Sequence, residues 1–326
     1  MRGLTSNPSI FQNAIEGSAE YDAQFREAIT SGLSVEDGYW ELVTTDIASA
    51  LEILHPVFEA SDGLDGYVSV EVDPGLARDA AGTEEAARRL DDRLDAPNLY
   101  IKIPATAEGL EPIRRLTAER RSVNVTLIFS LERYAAVMEA YLSGLEAAEG
   151  DLSSISSVAS FFISRVDVEV DRRLEEIGSP EALALRGQAA IANGVLAYAA
   201  FRETFSGPRW DALVARGARV QRPLWASTST KNPAYPDTLY VDRLIGPDTV
   251  NTLPDGTLAA FEDHGTVART IDADVDAAAA TIEALAALGV SMTEVTGQLE
   301  ADGVAAFEKS FDALLAVLSE KASTLT

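Results

Sequence analysis

The run "VSVEV", Val68 to Val72, places three valines at alternate positions with Ser69 and Glu71 between them. Successive side chains of a strand point to opposite faces, so the valines share a dry face and Ser69 and Glu71 a polar one. The same split recurs in "VNVTL", where Val123, Val125 and Leu127 oppose Asn124 and Thr126. Near the beginning of the chain, Thr5 and Asn7 share a face in "LTSNPS". A doubly wound sheet is apolar on both faces and has no place for such residues. A parallel barrel does, because helices cover its outside while its upper end can hold a site.

The elements alternate along the chain. After the strand in "GYVSVEVD", residues 83–90 read as a helix capped by Thr83. A strand at "NLYIKIPAT" (98–106), a helix at "AEGLEPIRRLTAER" (107–120) and a strand at "VNVTLIFS" (123–130) follow. The amphipathic "LERYAAVMEAYLSGLEAA" (131–148) is a helix that Ser130 can cap. "SSVASFFISRVD" is the next strand, 167–177 and 180–205 are helical, and "VQRPLWAS" and "DTVNTLP" are strands before a helical C-terminus. The repeated βα order predicts a parallel sheet within one domain spanning residues 1–326.

Lys102 stands in the middle of the apolar run "NLYIKIPAT". A cation there is costly unless it faces a polar cavity or snorkels from a strand end. Among the polar faces of the neighbouring strands, the cavity is the better reading. A buried lysine can supply a neutral amine that attacks a carbonyl and forms a Schiff base, and the protonated imine then activates the adjacent carbon–carbon bond. Such aldol chemistry needs a proton shuttle. Glu71 is the carboxylate on offer, through a water held by Thr126, with Asn124 and Asn7 bonding substrate hydroxyls. Glu71 could equally be a buried structural partner of Lys102.

Composition removes the rival chemistries. The 326-residue chain has 52 acidic and 26 basic side chains, a formal charge of -26, so it repels phosphate backbones and anionic membranes as a whole. No nucleic-acid or membrane partner is expected. With no cysteine and two histidines there is no disulfide, thiol nucleophile or thiolate metal site, and no metal is expected. His55, in an apolar helical pattern, reads as a packed or helix-end residue, and His264, just before Gly265, as a cation at a helix C-terminus. The N-terminus lacks the apolar stretch of a signal peptide, and no span is long enough for a membrane helix. A cytoplasmic protein is the expectation.

Taken together, "GLTSNPSIF", "GYVSVEVDP", "NLYIKIPAT", "VNVTLIFS", "SVASFFISRVD" and "RPLWASTSTKNPAYPDTLYVDRLIGPDTVNTLP" resemble transaldolase in its longer bacterial form, in family order from residue 3 to residue 254. The resemblance implies a (β/α)8 TIM barrel of the class I aldolase type with extra helices. It implies a cofactor-free transfer of a dihydroxyacetone unit between sugar phosphates in the non-oxidative pentose phosphate pathway. Sedoheptulose 7-phosphate and glyceraldehyde 3-phosphate would exchange with erythrose 4-phosphate and fructose 6-phosphate. Lys102 matches the family's Schiff-base lysine, and Glu71 and Thr126 match the pair that positions the catalytic water. Thr5, Asn7, Ser69 and Asn124 match residues lining the sugar site, and Ser160 and Arg165 the serine and arginine that bind phosphate. Arg165 suits that part on its own, as a basic residue following a strand at the mouth of a barrel. Ser227 and Lys231 are further candidates there, with a solvated loop lysine as the alternative for Lys231. A homo-oligomer is allowed by this reading.

In the family the motif at Thr5 to Ser9 lies on the second strand, and the first strand carries an aspartate that contacts a substrate hydroxyl and assists proton transfer. No residue of this chain matches it. The expectation is an N-terminally incomplete barrel with seven of the eight strands and an open seam beside Thr5 to Ser9. A natural start some tens of residues upstream and weak activity for the chain beginning at Met1 are expected with it. The alternatives are a fructose-6-phosphate-type aldolase of the same family, which releases the three-carbon unit, and a catalytically impaired barrel acting as a binding module.

Overall fold

The computed structural model describes residues 1–16 and 18–324. Among these residues one sheet runs in chain order through β1 (Gly3–Thr5), β2 (Tyr67–Glu71), β3 (Leu99–Pro104), β4 (Val123–Ile128), β5 (Ser157–Phe162), β6 (Arg222–Ala226) and β7 (Val250–Asn251). All neighbours are parallel. Between β1 and β2 come α1 (Pro8–Glu16), α2 (Asp22–Thr30) and α3 (Val35–Ala60). A 3₁₀ turn (Pro74–Leu76) and α4 (Ala80–Leu94) follow β2, while α5 (Leu110–Ala118) and α6 (Leu131–Ala147) follow β3 and β4. β5 leads into α7 (Ser164–Ile177), α8 (Pro180–Ala184), α9 (Ala189–Thr204) and α10 (Gly207–Val214). Next to β7 are α11 (Leu239–Arg243) and α12 (Asp255–His264), and the chain continues through α13 (Val275–Ala287) and α14 (Met292–Ser323).

This is the expected barrel with seven strands. Among the described residues its edges are β1 and β7, and β1, paired there with β2 alone, marks the seam beside Thr5 to Ser9. The alternation in "VSVEV" has the predicted result: Val68, Val70 and Val72 are buried beneath the surrounding helices, and Ser69 and Glu71 are buried as well, inside the lumen. No single helix among the described residues is long and apolar enough to cross a membrane.

Several boundaries differ from expectation for local reasons. Asp79, not Thr83, caps α4 by accepting from Gly82 N–H at 3.0 Å, while the Thr83 hydroxyl donates to Leu76 C=O. Residues 180–205 form two helices because Gly187, at φ 73°, turns the chain and donates its N–H to Asp171 at 2.9 Å. His55 is half exposed on α3, stacked on Phe58 and beside Glu59, not packed in the core. Ser130 caps α6 and His264 ends α12, both as expected.

Two buried aspartates of α7 fasten the elements that follow β5. Asp167 accepts from Ala190 N–H at 2.7 Å and from the Tyr240 hydroxyl at 2.8 Å, and Asp171 accepts from the Tyr235 hydroxyl at 2.6 Å. Burial pushes the Asp167 carboxyl up to about 6, against the pull of Ala190 N–H and Tyr240 and with a further push from Asp171. A carboxyl raised on folding keeps its proton in the folded state after the unfolded chain has lost it. Its contribution to stability therefore falls as pH rises from about 4 through about 6, by up to about 3 kcal/mol. Asp167→Asn removes this dependence, so the variant should gain on the wild type across that window in denaturant titrations at stepped pH. Parallel profiles would remove Asp167 from the pH response.

Candidate active site

The register of the sheet builds the site. Glu71 is paired with Lys102, and Lys102 with Asn124, so three adjacent strands bring a carboxylate, an amine and an amide to one level of the lumen. Lys102 Nζ donates to Glu71 Oε2 at 2.9 Å and to Ser6 C=O at 3.2 Å. Both charged residues are only 5% exposed. Burial pushes the Glu71 carboxyl above the usual carboxylate range, and the charge and hydrogen bond of Lys102 oppose that shift. The pair leaves Glu71 Oε1 buried with no partner among the described residues. Thr126 Oγ1, two residues beyond Asn124 on the same face of β4, is in the same condition, and so is Thr5 Oγ1 at the seam. Buried polar atoms without partners are rare and mark where water or a ligand completes the bonding.

A second set of polar groups crosses the lumen. The Ser160 hydroxyl donates to Asn124 Oδ1 at 2.7 Å, and Asn124 Nδ2 donates to Ser69 Oγ at 3.0 Å, which joins β5, β4 and β2. Asn7 has a local task too, since its Oδ1 accepts from Ile10 N–H at 2.9 Å in the first turn of α1.

The strand ends are shaped by strained backbone. Between Val125 and Ile128 the β4–β5 register slips, and Leu127 takes φ 60°; at the end of β6, Ser227 takes φ 56°. Non-glycine residues in this region store about 1–3 kcal/mol and cluster at functional sites. Ser227 Oγ lies 2.9 Å from Ser164 Oγ at the start of α7. Arg165 follows in that first helical turn, its guanidinium 5.3 Å from the centre of the Phe162 ring. Burial draws Arg165 below the usual guanidinium range, the charge of Asp302 acting against this. No carboxylate of the described residues lies within ion-pair distance of it. Lys231 is exposed on the loop after β6, four residues beyond Ser227, and donates to Ser229 Oγ at 2.5 Å.

Three contributors escaped the sequence reading. Ser6 supplies its carbonyl to Lys102, Ser164 joins Ser227, and Phe307 of α14 stands over the amine, 5.6 Å from ring centre to Nζ. The first two adjoin motif residues. Phe307 comes from a helix far along the chain, and helical apolar spacing gives no sign of what a residue faces across the fold.

Removing one member of the buried pair should be costly for reasons independent of function. Lys102→Met leaves the Glu71 carboxyl buried without its cation, a loss of about 3 kcal/mol. The double replacement Lys102→Met with Glu71→Gln should recover at least half of it in denaturant titration. Equal losses in the single and double variants would mean that the pair is not coupled.

The chain is similar to known proteins over nearly all of its length. The family described as Transaldolase/Fructose-6-phosphate aldolase matches residues 1–318. A protein of Thermobifida fusca (strain YX) named Transaldolase is 55% identical over 317 residues, covering 96% of this chain and 86% of the relative. Proteins of the same name from Parafrankia sp. (strain EAN1pec) and Mycolicibacterium smegmatis are 52% and 53% identical, covering 98% and 96% of this chain and 88% and 85% of the relatives.

Proposed function

This chain belongs to the transaldolase/fructose-6-phosphate aldolase family, and from that premise we propose that it transfers a dihydroxyacetone unit between sugar phosphates through a Schiff base on Lys102. The reaction is that of transaldolase, in the non-oxidative pentose phosphate pathway. The observation that carries the residue assignment is the buried Lys102–Glu71 contact at 2.9 Å with Glu71 Oε1 still unpartnered.

The chemistry follows from the positions. Glu71, its carboxyl raised by burial, takes a proton from the neighbouring ammonium and leaves Nζ free to attack the ketose carbonyl. A water between Glu71 Oε1 and Thr126 Oγ1 would satisfy both orphaned groups and carry protons to and from the substrate oxygens. Loss of water gives the iminium. The bond between the third and fourth carbons of the ketose then breaks, its electrons flow into the iminium, and an aldose phosphate departs. The enamine left on Lys102 attacks the aldehyde carbon of the acceptor, and hydrolysis releases the new ketose phosphate. Asn124, Ser69, Thr5 and Asn7 offer hydrogen bonds to sugar hydroxyls without competing as acids, and Ser160 is assigned with Arg165 to the phosphate. Arg165, half-buried and free of carboxylates among the described residues, binds the phosphate with Ser227. Lys231 adds positive charge at the edge of that site. The cytoplasm, where phosphorylated sugars are interconverted, is the compartment we assign.

Borohydride reduction in the presence of fructose 6-phosphate should leave a stable adduct on Lys102, and ketose formation should depend on added erythrose 4-phosphate or glyceraldehyde 3-phosphate. Labelling of another residue in active protein would overturn the assignment, and product release indifferent to an acceptor would point to an aldolase instead.

Arg165→Ala should raise the KM for phosphorylated donors about ten-fold or more, the scale of one lost charge-assisted hydrogen bond, and leave turnover of unphosphorylated fructose nearly unchanged. Equal losses on both substrates would exclude a phosphate role.

A further inference from the structure

α14 lies across the polar end of the barrel. Gly303 sits where an added Cβ would stand 3.0 Å from Leu127 Cδ2, Glu300 Oε2 is 3.4 Å from Arg133 Nε, and Ser310 Oγ is 2.7 Å from Ser9 Oγ. Residues 300, 303, 307 and 310 recur at the spacing of one helical face, so a single stripe of α14 reaches from the end of β4 to the start of α1. The approach is close enough that a side chain at position 303 would require the Leu127 methyl to give way slightly. Phe307, in the middle of that stripe and 4% exposed, holds its ring over Lys102 Nζ at 5.6 Å.

An aromatic face at this distance attracts a cation yet offers neither a proton nor a lone pair. Water in the same place would offer both. The difference matters because the enamine on Lys102 has two fates. Its carbon can attack an acceptor aldehyde, which completes the transfer. Alternatively it can take a proton from water to give an iminium, to which a second water adds; the carbon–nitrogen bond then breaks, free dihydroxyacetone leaves and the Lys102 amine is restored. The second course consumes one water overall and involves no oxidation or reduction.

We propose that Phe307 determines specificity by covering the amine, keeping solvent from the enamine so that the three-carbon unit passes to a sugar phosphate. This rests on the Schiff-base reading of Lys102. Because the ring also favours a cation over the amine, its loss should modestly slow iminium formation as well as admit water.

The test uses Phe307→Leu, which keeps an apolar side chain of similar reach, and Phe307→Met as a second variant should the first fold poorly. With fructose 6-phosphate as donor, the ratio of dihydroxyacetone release to transfer should rise about five-fold or more, and in D₂O the released dihydroxyacetone should carry more deuterium at the carbon that was protonated. Leu318→Ala loosens the same helix about 16 Å away along its axis and controls for general destabilisation. Its ratio should stay at the wild-type value when the variants are compared at matched fractions folded. A similar rise in Leu318→Ala, or no change in either Phe307 variant, would overturn the proposal while borohydride still labels Lys102. If the wild type is not labelled on Lys102, the Schiff-base reading falls and this inference falls with it.

Discussion

Two opposite charges held together out of water at Lys102 and Glu71 set the terms for the rest of the lumen. Each ion gives up several kcal/mol of hydration in entering the protein, and their attraction offsets this only when geometry and further hydrogen bonds are good. Adjacent parallel strands supply the geometry, since the paired register of β2 and β3 sets the two residues side by side. The Ser6 carbonyl supplies one more bond to the amine. A purely structural pair would be completed on its remaining atoms too. Here Glu71 Oε1, Thr126 Oγ1 and, at the seam, Thr5 Oγ1 have no partner among the described residues, which supports the proposed reactive role of the pair over a purely fold-specifying one.

The wall around the pair is arranged to keep those groups rigid. Ser160, Asn124 and Ser69 form a chain across three strands, so the Asn124 amide beside Lys102 has a fixed orientation. Above them the bulge at Leu127 and the left-handed Ser227 redirect the strand ends at a backbone cost of about 1–3 kcal/mol each. That cost has visible consequences. The turn at Leu127 meets Gly303 of α14, and the turn at Ser227 sets its hydroxyl against Ser164 at the head of the helix carrying Arg165.

Much of this was legible in the sequence, because a strand's two-residue period converts directly into sides. Valines alternating with Ser69 and Glu71, or with Asn124 and Thr126, specify which groups enter the lumen before any pairing is known. The seven-strand count and the seam beside Thr5 to Ser9 come from the resemblance of the motifs to the family, not from the alternation. Helix boundaries were less legible: Asp79 outcompeted Thr83 as a cap, and a single hydrogen bond from Gly187 to Asp171 divided what looks continuous between residues 180 and 205. Phe307 was not legible at all. Its neighbour in space, Lys102, is about two hundred residues earlier, and an apolar residue in an amphipathic helix carries the same signal whether it covers an amine or a leucine.

The charge of the whole chain and the charge of the site point in opposite directions, and the fold reconciles them by distance and dielectric. A protein with a formal charge of -26 repels anionic substrates at long range, but salt screens exposed charges beyond roughly 8–10 Å. At shorter range the nearest groups decide. Arg165 is half-buried, less screened than a surface arginine, and set in the first turn of α7, at the positive end of the helix dipole. The amine, by contrast, lies deeper and is covered by Phe307. On the proposed reading, a phosphate stays partly hydrated at the mouth while the carbon chain it anchors extends toward the covered Lys102 nitrogen. The proposed separation of a wetted anchor from a covered centre would let a strongly acidic protein hold an anionic sugar and still handle an intermediate that water diverts.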